Sequence, residues 1–254
     1  MTRLVGKFVW FEHLSNDVAT ARDFYSSLFG WDVQTMAMGG IEYPLIQCQG
    51  EGIGGFREAP ATTPNHWTSY LSVADLDAAY VAVQAAGGTG LMPPVAFGPM
   101  GHGAAVADPT GAVFWLWHGA MGDPEDRPQI PMHTWYWSEL ITPETDVAAA
   151  FYERAFGYTS EAMDMGPFGT YTVLSQGDKA RAGIMKPEQP GLPAIWLPYV
   201  RVADCDATIT QAAGLDAQCL HGPVDIPQVG RLAVLLDPVG AVIAVIAVIQ
   251  PVGR

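Results

Sequence analysis

Two glutamates at equivalent places in the chain are the residues best suited to chemistry. Glu12 follows Trp10 by two positions in FVWFEHL, and Glu139 follows Trp137 by two positions in WYWSELI. Both segments are predicted strands, in which residues two apart point to the same side. A carboxylate beside indole rings in an apolar cavity can act as a general acid or base, or can hold a cationic or hydrogen-bonding ligand. The alternative is a glutamate that ties a strand end to backbone amides or to an arginine.

Aromatic residues that recur in both halves of the chain predict a site for a flat organic ligand. The predicted ligand-binding aromatic residues are Trp10, Trp67, Tyr70, Trp115, Trp137, Trp196 and Tyr199. Aromatic side chains around a concave site suit such ligands, although any one of them can instead fill a core. Trp10 and Trp115 can also plug the first site, whereas Ala244, at the position equivalent to Trp115, leaves the second one roomier.

His102 and Arg231 occupy equivalent places in GPMGHGAAV and IPQVGRLAV. Both are predicted to lie on glycine-flanked loops just before a strand. A basic side chain on such a loop can bind a carboxylate or a phosphate; the alternative is an ordinary surface turn. The remaining histidines, His118 among them, show no metal-ligand spacing and are predicted to be structural or surface residues.

The whole chain of 254 residues repeats itself once. Trp10 and Glu12 match Trp137 and Glu139 at an offset of 127 residues, and ADPTGAVFWLW recurs as LDPVGAVIAVI at an offset of 129. A period far above 50 residues indicates two tandem domains rather than a solenoid. We predict one domain over residues 1–119, a linker with three prolines over 120–132, and a second domain over 133–254.

The order of elements within each domain predicts the fold class. Val9–Leu14 alternates like a strand, Asp17 stands where a helix N-cap belongs, and Gly30 ends the helix. Further short strands follow, and the same order then repeats from His66 onward. Such a mixture predicts an α+β fold with a curved sheet, helices on one face and an open concave face on the other. The apolar stretch Leu232–Val248 is predicted to be a buried final strand.

Composition excludes several classes of function. The net charge of −14 argues against nucleic acid and against anionic membranes as partners. Three cysteines without a CxxC pair indicate reduced thiols, which, with no recognisable signal peptide, predict a cytoplasmic protein. A small-molecule ligand is therefore the expected partner, and the chain is expected to be a monomer or a homodimer.

The motif [DE]-x-x-x-A-x-x-F-Y-x-x-x-F-G-[WY], followed by V-x-D-x-D-A and DP-x-G-A-V, resembles the vicinal-oxygen-chelate superfamily. That superfamily includes glyoxalase I, extradiol dioxygenases and bleomycin-resistance proteins. The resemblance covers the whole chain and implies four βαβββ modules, paired around a cup in each domain. It is strong for the fold and weak for function, because one scaffold carries many chemistries.

The resemblance also implies where a divalent metal would bind, and the chain departs from the pattern there. The equivalent positions hold Trp10, Thr68 and Trp115 in the first domain and Trp137, Leu197 and Ala244 in the second. None of these six side chains is a credible ligand for such a metal. We therefore predict no metal and no other cofactor, although a divalent metal is the default of the family.

Three functional hypotheses remain. The first is a glyoxalase-like enzyme without a cofactor, of the lyase or isomerase type, in which Glu12 or Glu139 moves a proton of an aromatic, carbonyl or cationic metabolite. The second is a protein that only sequesters such a metabolite or a drug. The third is a metal-dependent lactoylglutathione lyase or dioxygenase with atypical ligands such as Glu12, Glu139, His13 and Gln47.

Overall fold

A computed structural model describes residues 2–38 and 41–249. The α-helices are α1 Val18–Phe29, α2 Leu76–Ala85, α3 Thr145–Phe156 and α4 Cys205–Ala213. The strands of the first half are β1 Phe8–Ser15, β2 Asp32–Met38, β3 Ile41–Cys48, β4 Glu51–Glu58, β5 His66–Ser72, β6 Thr89–Ala96, β7 Gly101–Ala107 and β8 Val113–Gly119. Those of the second half are β9 Trp135–Ile141, β10 Thr159–Asp164, β11 Thr170–Gln176, β12 Lys179–Met185, β13 Ile195–Arg201, β14 Gln218–Ile226, β15 Gly230–Leu236 and β16 Val242–Val248. Within the described ranges, no helix has the length and apolar character that a membrane crossing requires.

The strands form two curved eight-stranded sheets, and each sheet draws all its strands from one half of the chain. The first has the order β2-β3-β4-β1-β5-β8-β7-β6, and the second repeats it as β10-β11-β12-β9-β13-β16-β15-β14. Strand β1 runs parallel to β4, as β5 does to β8, while the remaining neighbours within each module are antiparallel. The predicted α+β class and the tandem duplication are confirmed.

The chain divides into two compact units that interleave in the sequence. Unit I comprises Met1–Trp10, Thr68–Asp126 and Ser138–Leu197. Unit II comprises Phe11–Trp67, Arg127–Trp137 and Pro198–Arg254. Each unit thus combines one module from each half of the chain. The boundaries at residues 119 and 133 stay a prediction for the tandem domains.

Local sequence explains why the helices begin and end where they do. The Asp17 side chain accepts a hydrogen bond from the Thr20 backbone N–H at the start of α1, as predicted. The helix ends at Gly30, whose φ of 68° is left-handed and favours glycine. Helix α3 repeats this ending at Gly157, with a φ of 70°. In both helices the Phe-Tyr pair lies on the buried face, so the repeated motif supplies equivalent core residues.

The structure differs from the prediction at the sheet edges and at the chain's last apolar stretch. Strands β2 and β6, which the sequence pattern did not reveal, are edge strands. Edge strands tolerate proline, and β6 contains Pro93 and Pro94. The stretch Leu232–Val248 is not one strand, because a turn separates β15 from β16. Asp237 Oδ1 accepts hydrogen bonds from the Val239 and Ala241 backbone N–H groups and so closes that turn.

Asp126 links two cationic side chains in unit I. Its Oδ1 accepts hydrogen bonds from Arg181 and from Lys7, each at 2.8 Å. The bond from Arg181, more than the bond from Lys7, lowers the pKa of the Asp126 carboxyl from 3.8 to about 2. A carboxyl with a depressed folded-state pKa stabilises the fold above its unfolded pKa, and that contribution is lost as the pH falls through about 2.

The substitution Asp126→Asn is therefore expected to lower the free energy of unfolding by about 1 kcal/mol at pH 7, a modest value because solvent screens a side chain that is one third exposed. Thermal unfolding of both proteins over a range of pH measures this. The difference in Tm between them should shrink as the pH falls below 3.8. A difference that stays constant throughout the acid range would contradict the assignment.

Candidate functional site

Glu12 lies on β1 between a phenol and a guanidinium, all within unit II. The buried carboxylate accepts a hydrogen bond from the Tyr43 hydroxyl at 2.8 Å through Oε1, and its Oε2 lies 3.3 Å from Nε of Arg57. Glu12 pairs with Gly55 on β4. Tyr43 reaches over this glycine, where a Cβ would overlap the phenol ring and hydroxyl. The glycine is therefore what allows the phenol to meet the carboxylate.

The same arrangement recurs in unit I. Glu139 is buried on β9 and pairs with Gly183 on β12. A Cβ on Gly183 would overlap the hydroxyl and ring of Tyr171. Met185 stands two residues after the glycine, where the first half has an arginine. A carboxylate, a glycine and a tyrosine are thus common to both halves, whereas methionine stands at the position of Arg57 in the second half.

Such a cluster is suited to proton transfer. A buried carboxylate can accept a proton from a bound molecule, and a phenol in hydrogen-bond contact can hold the carboxylate in one orientation. In the first half Arg57 balances the carboxylate charge, so burying Glu12 does not leave an isolated ion.

An aromatic cluster of unit I lies on the first sheet. The rings of Tyr70 and Trp115 stack with centroids 5.5 Å apart and an interplanar angle of 13°. Phe97 meets Trp115 edge-on at 5.5 Å, and Trp117 meets Tyr70 edge-on at 5.8 Å. Trp10 packs against the same group. Tyr70 and Trp115 are buried, while the other three rings are half-buried. Any contact with a ligand therefore falls first on the half-buried rings.

The second half carries alanine at the position of Trp115. Tyr199 pairs with Ala244 in unit II, and both are buried. Trp137 is half-buried. Ile226 and Ile246 stand at the positions of the first half's Phe97 and Trp117. The two halves thus carry different residue types at these positions, and the roomier second site stays a prediction.

Trp67, a predicted ligand-binding residue, belongs to a buried network of unit II. Its indole N–H donates to the Tyr25 hydroxyl at 2.8 Å, which in turn donates to Asp237 Oδ2 at 2.9 Å. His13 Nε2 lies 2.8 Å from the same oxygen. Burial, and next the Asp237 charge, hold the pKa of Tyr25 well above its usual value. Because Trp67 and Tyr70 are three residues apart on β5, they lie on opposite faces of the strand.

Unit I contains the equivalent network. The Trp196 indole N–H donates to the Tyr152 hydroxyl at 2.9 Å, and Tyr152 donates to Asp108 Oδ2 at 3.0 Å. Burial, and next the Asp108 charge, raise the pKa of Tyr152 well above its usual value. Leu140 stands where unit II has a histidine. Both predicted tryptophans therefore donate their indole N–H groups to the tyrosines of the helices.

His102 and Arg231 lie within β7 and β15, not on loops before them, which corrects the prediction. A Cβ on the preceding Gly101 or Gly230 would overlap the backbone of the paired strand, so these glycines serve close strand approach and not a loop. Arg231 donates to Asp206 and to Asp225, with its shortest bonds at 2.7 and 2.8 Å. The hydrogen bond from Arg231 lowers the pKa of Asp206. His102 is exposed.

The residues at the expected metal positions do not fit a divalent metal. They are the indoles, hydroxyl and aliphatic groups of Trp10, Thr68, Trp115, Trp137, Leu197 and Ala244. Among residues 2–38 and 41–249, no group of three or more His, Cys, Asp or Glu side chains is placed to hold a metal ion. The atypical set is also dispersed, since His13 contacts Asp237 whereas its neighbour Glu12 contacts Tyr43.

Tyr43, Arg57 and Tyr171 are site residues that sequence reasoning missed. The two tyrosines recur at an offset of 128 residues, as do the glycines beneath them. The repetition is visible in the sequence, but the segments around these residues share few other residues, so it does not stand out. In each half, only the pairing of three separate strands brings the tyrosine over the glycine that pairs with the glutamate.

The chain is similar to a family model, to whole proteins of related sequence and to solved structures. Residues 7–116 match the family model described as Glyoxalase/Bleomycin resistance protein/Dioxygenase superfamily. The chain is 37% identical over 248 residues to "Putative glyoxylase CFP32" of Mycobacterium tuberculosis (strain CDC 1551 / Oshkosh), covering 93% of each chain. It is 32% identical over 265 residues to "Anthracycline biosynthesis protein DnrV" of Streptomyces peucetius, covering 97% of this chain and 95% of the other.

Among solved structures, the chain is similar to a Mn(II)-bound glyoxalase from Novosphingobium aromaticivorans. The TM-score is 0.65 at 19% identity, over 96% of this chain and 82% of the other. It is also similar to BphC, a halotolerant catechol dioxygenase, with a TM-score of 0.64 at 14% identity, over 98% and 90% of the two chains. At these identities the similarity concerns the fold.

Proposed function

Because this chain belongs to the Glyoxalase/Bleomycin resistance protein/Dioxygenase superfamily, whose fold carries many chemistries, we propose a function from its own side chains. The protein binds a small organic molecule with an aromatic ring and a carbonyl or hydroxyl group. It does so without a divalent metal at the positions where the family binds one. Glu139 or Glu12 then moves a proton within the bound molecule.

The repeated carboxylate–tyrosine–glycine cluster is the observation that carries this proposal. Burying a carboxylate costs free energy unless hydrogen bonds or counter-charges compensate for lost water. The chain places such a carboxylate at the same position in both halves, each beside a glycine beneath a tyrosine. Presence of the cluster in two halves that differ at the aromatic positions supports a shared chemical role over a purely local structural one.

The side chains at the family's metal positions support chemistry that needs no metal. A proton shift within one molecule changes no oxidation state, so it needs no electron donor or acceptor. The carboxylate of Glu139 takes a proton from a carbon next to a carbonyl, and the same carboxyl returns it to another atom of the molecule. The electron pair left by the first step moves into the carbonyl and returns in the second. Isomerisation fits this scheme directly. In ring closure the electron pair instead forms a bond to the carbon of a second carbonyl, and the oxygen of that carbonyl takes the proton from Glu139.

The class of ligand follows from the aromatic cluster and from the relatives. Offset-stacked and edge-on rings around Tyr70 and Trp115 offer aromatic surface to a flat molecule. One relative over nearly the whole chain is named for anthracycline biosynthesis. A hydroxylated polycyclic aromatic compound is therefore the first probe, and a hydroxyanthraquinone is a simple representative.

Glu139→Gln tests the proposal, together with Glu12→Gln. Binding of the hydroxyanthraquinone is followed by tryptophan fluorescence, and its conversion by absorbance and mass spectrometry. If Glu139 is the proton carrier, Glu139→Gln should reduce turnover by about 100-fold or more while the Kd changes little. The exposed Glu161→Gln is the matched control. Full turnover in the double variant Glu12→Gln/Glu139→Gln would refute proton transfer by these glutamates.

Sequestration is the second candidate, favoured by the packed aromatic cluster. It predicts that the wild-type protein binds the probe but never converts it. A metal-dependent glyoxalase is distinguished by elemental mass spectrometry and by activity on the glutathione hemithioacetal of methylglyoxal. One divalent metal per chain that survives gel filtration, together with that activity, would replace the proposal.

A further inference from the structure

His102 and His118 form a pair of imidazoles on neighbouring strands of unit I. They are directly opposed residues of the antiparallel strands β7 and β8. Opposed residues of such a pair have Cβ atoms about 5 Å apart and project from the same face of the sheet. Two imidazoles in this relation can reach one ion.

The pair lies in an open groove of about 560 Å³ at the start of α2. Besides the two histidines, Asp75, Asp77 and the segment 94–96 of β6 contribute to its lining. The Asp75 carboxylate accepts the Ala78 backbone N–H as the helix cap. Both aspartates are exposed and bring negative charge to the groove, which favours a cation there over an anion.

The orientation of His118 is set for coordination. Its Nδ1 lies 3.2 Å from the Val73 carbonyl oxygen. A carbonyl oxygen only accepts, so Nδ1 carries the proton in the neutral ring and Nε2 keeps its lone pair. Metal-binding histidines usually have such a backbone or carboxylate partner, which fixes the tautomer and the ring orientation.

The equivalent positions in the second half hold different residues. Arg231 stands at the position of His102, opposite Ala247, and its guanidinium binds Asp206. Asp77 is the counterpart of Asp206 in the first half. The first half thus keeps the aspartate but replaces the arginine and the alanine with two imidazoles. A guanidinium paired with an aspartate in one half corresponds to two opposed imidazoles in the other.

We propose that His102 and His118 bind one divalent transition-metal ion of the class of Zn²⁺, Ni²⁺ or Cu²⁺, with water completing its coordination. Imidazole suits these ions better than Mg²⁺ or Ca²⁺, which take oxygen ligands. This site lies on the face of β7 and β8 that bears α2, whereas Ala105 and Trp115 of the aromatic cluster point to the other face. It is independent of the proposed function.

Titration of the untagged full chain with Zn²⁺ tests the proposal, with calorimetry for stoichiometry and NMR for the histidine ring protons. One ion per chain is expected, with the His102 and His118 resonances shifting together. His102→Ala and His118→Ala should each weaken binding about tenfold or more. His66→Ala, which lies in unit II, should leave it unchanged. Absence of Zn²⁺ binding, or binding unchanged in both test variants, would overturn the proposal.

Discussion

Replacing Tyr152 with phenylalanine is expected to lower the free energy of unfolding by about 3 kcal/mol, because two buried partners lose their hydrogen bonds together. The Trp196 indole N–H loses its acceptor, and Asp108 Oδ2 loses the donor that Tyr152 supplies. Water cannot readily replace the missing hydroxyl, since Tyr152 and Trp196 are 1% and 5% exposed. Chemical denaturation with fluorescence detection measures the loss.

The equivalent substitution Tyr25→Phe is the matched comparison. It also removes a hydroxyl between an indole and an aspartate, but Asp237 Oδ2 keeps its contact with His13 at 2.8 Å. Its cost is therefore expected to be smaller, about 2 kcal/mol. In His13→Leu, which mimics Leu140 of the other network, Tyr25→Phe should cost as much as Tyr152→Phe. Equal costs for the two tyrosines in an otherwise wild-type chain would show that His13 does not support Asp237.

A methyl group at Gly183 is expected to disrupt the second-half cluster. In Gly183→Ala the new Cβ would occupy the space of the Tyr171 hydroxyl and ring. Either the ring swings away from residue 183 or strands β11 and β12 separate. Overpacking of this kind costs about 1–3 kcal/mol. We expect a loss near the upper end of that range and, if the proposed function holds, a loss of turnover comparable to that of Glu139→Gln.

A second substitution that removes the Tyr171 ring distinguishes a local overlap at residue 183 from general damage to the sheet. In Gly183→Ala/Tyr171→Ala the ring is absent, so the second substitution should cost less than it does in the wild-type background. Gly214→Ala is the control, because Gly214 has a φ of −69° and its nearest contact would be at 3.3 Å. Additive losses in the double variant would mean that Tyr171 does not occupy the space over Gly183.

Local sequence accounted for the repeated elements and for part of the site. Alternation along β1 indicated that Glu12 shares a face with Trp10, and capping residues indicated where α1 begins and ends. These features depend on neighbours within a few residues, so a single segment contains the information. The repeat also predicted that both halves share one fold and that they differ at Trp115 and Ala244.

The tertiary structure decided the partners of those residues. Tyr43 reaches Glu12 across 31 positions of the sequence, and only the pairing of β1, β3 and β4 brings them together. Strand pairing likewise placed His102 opposite His118, where the chain had suggested a loop. Such contacts depend on strand order and register, which a local pattern does not encode. The sequence by itself therefore determined the fold class and the acidic candidates, while tertiary pairing decided what each candidate can touch.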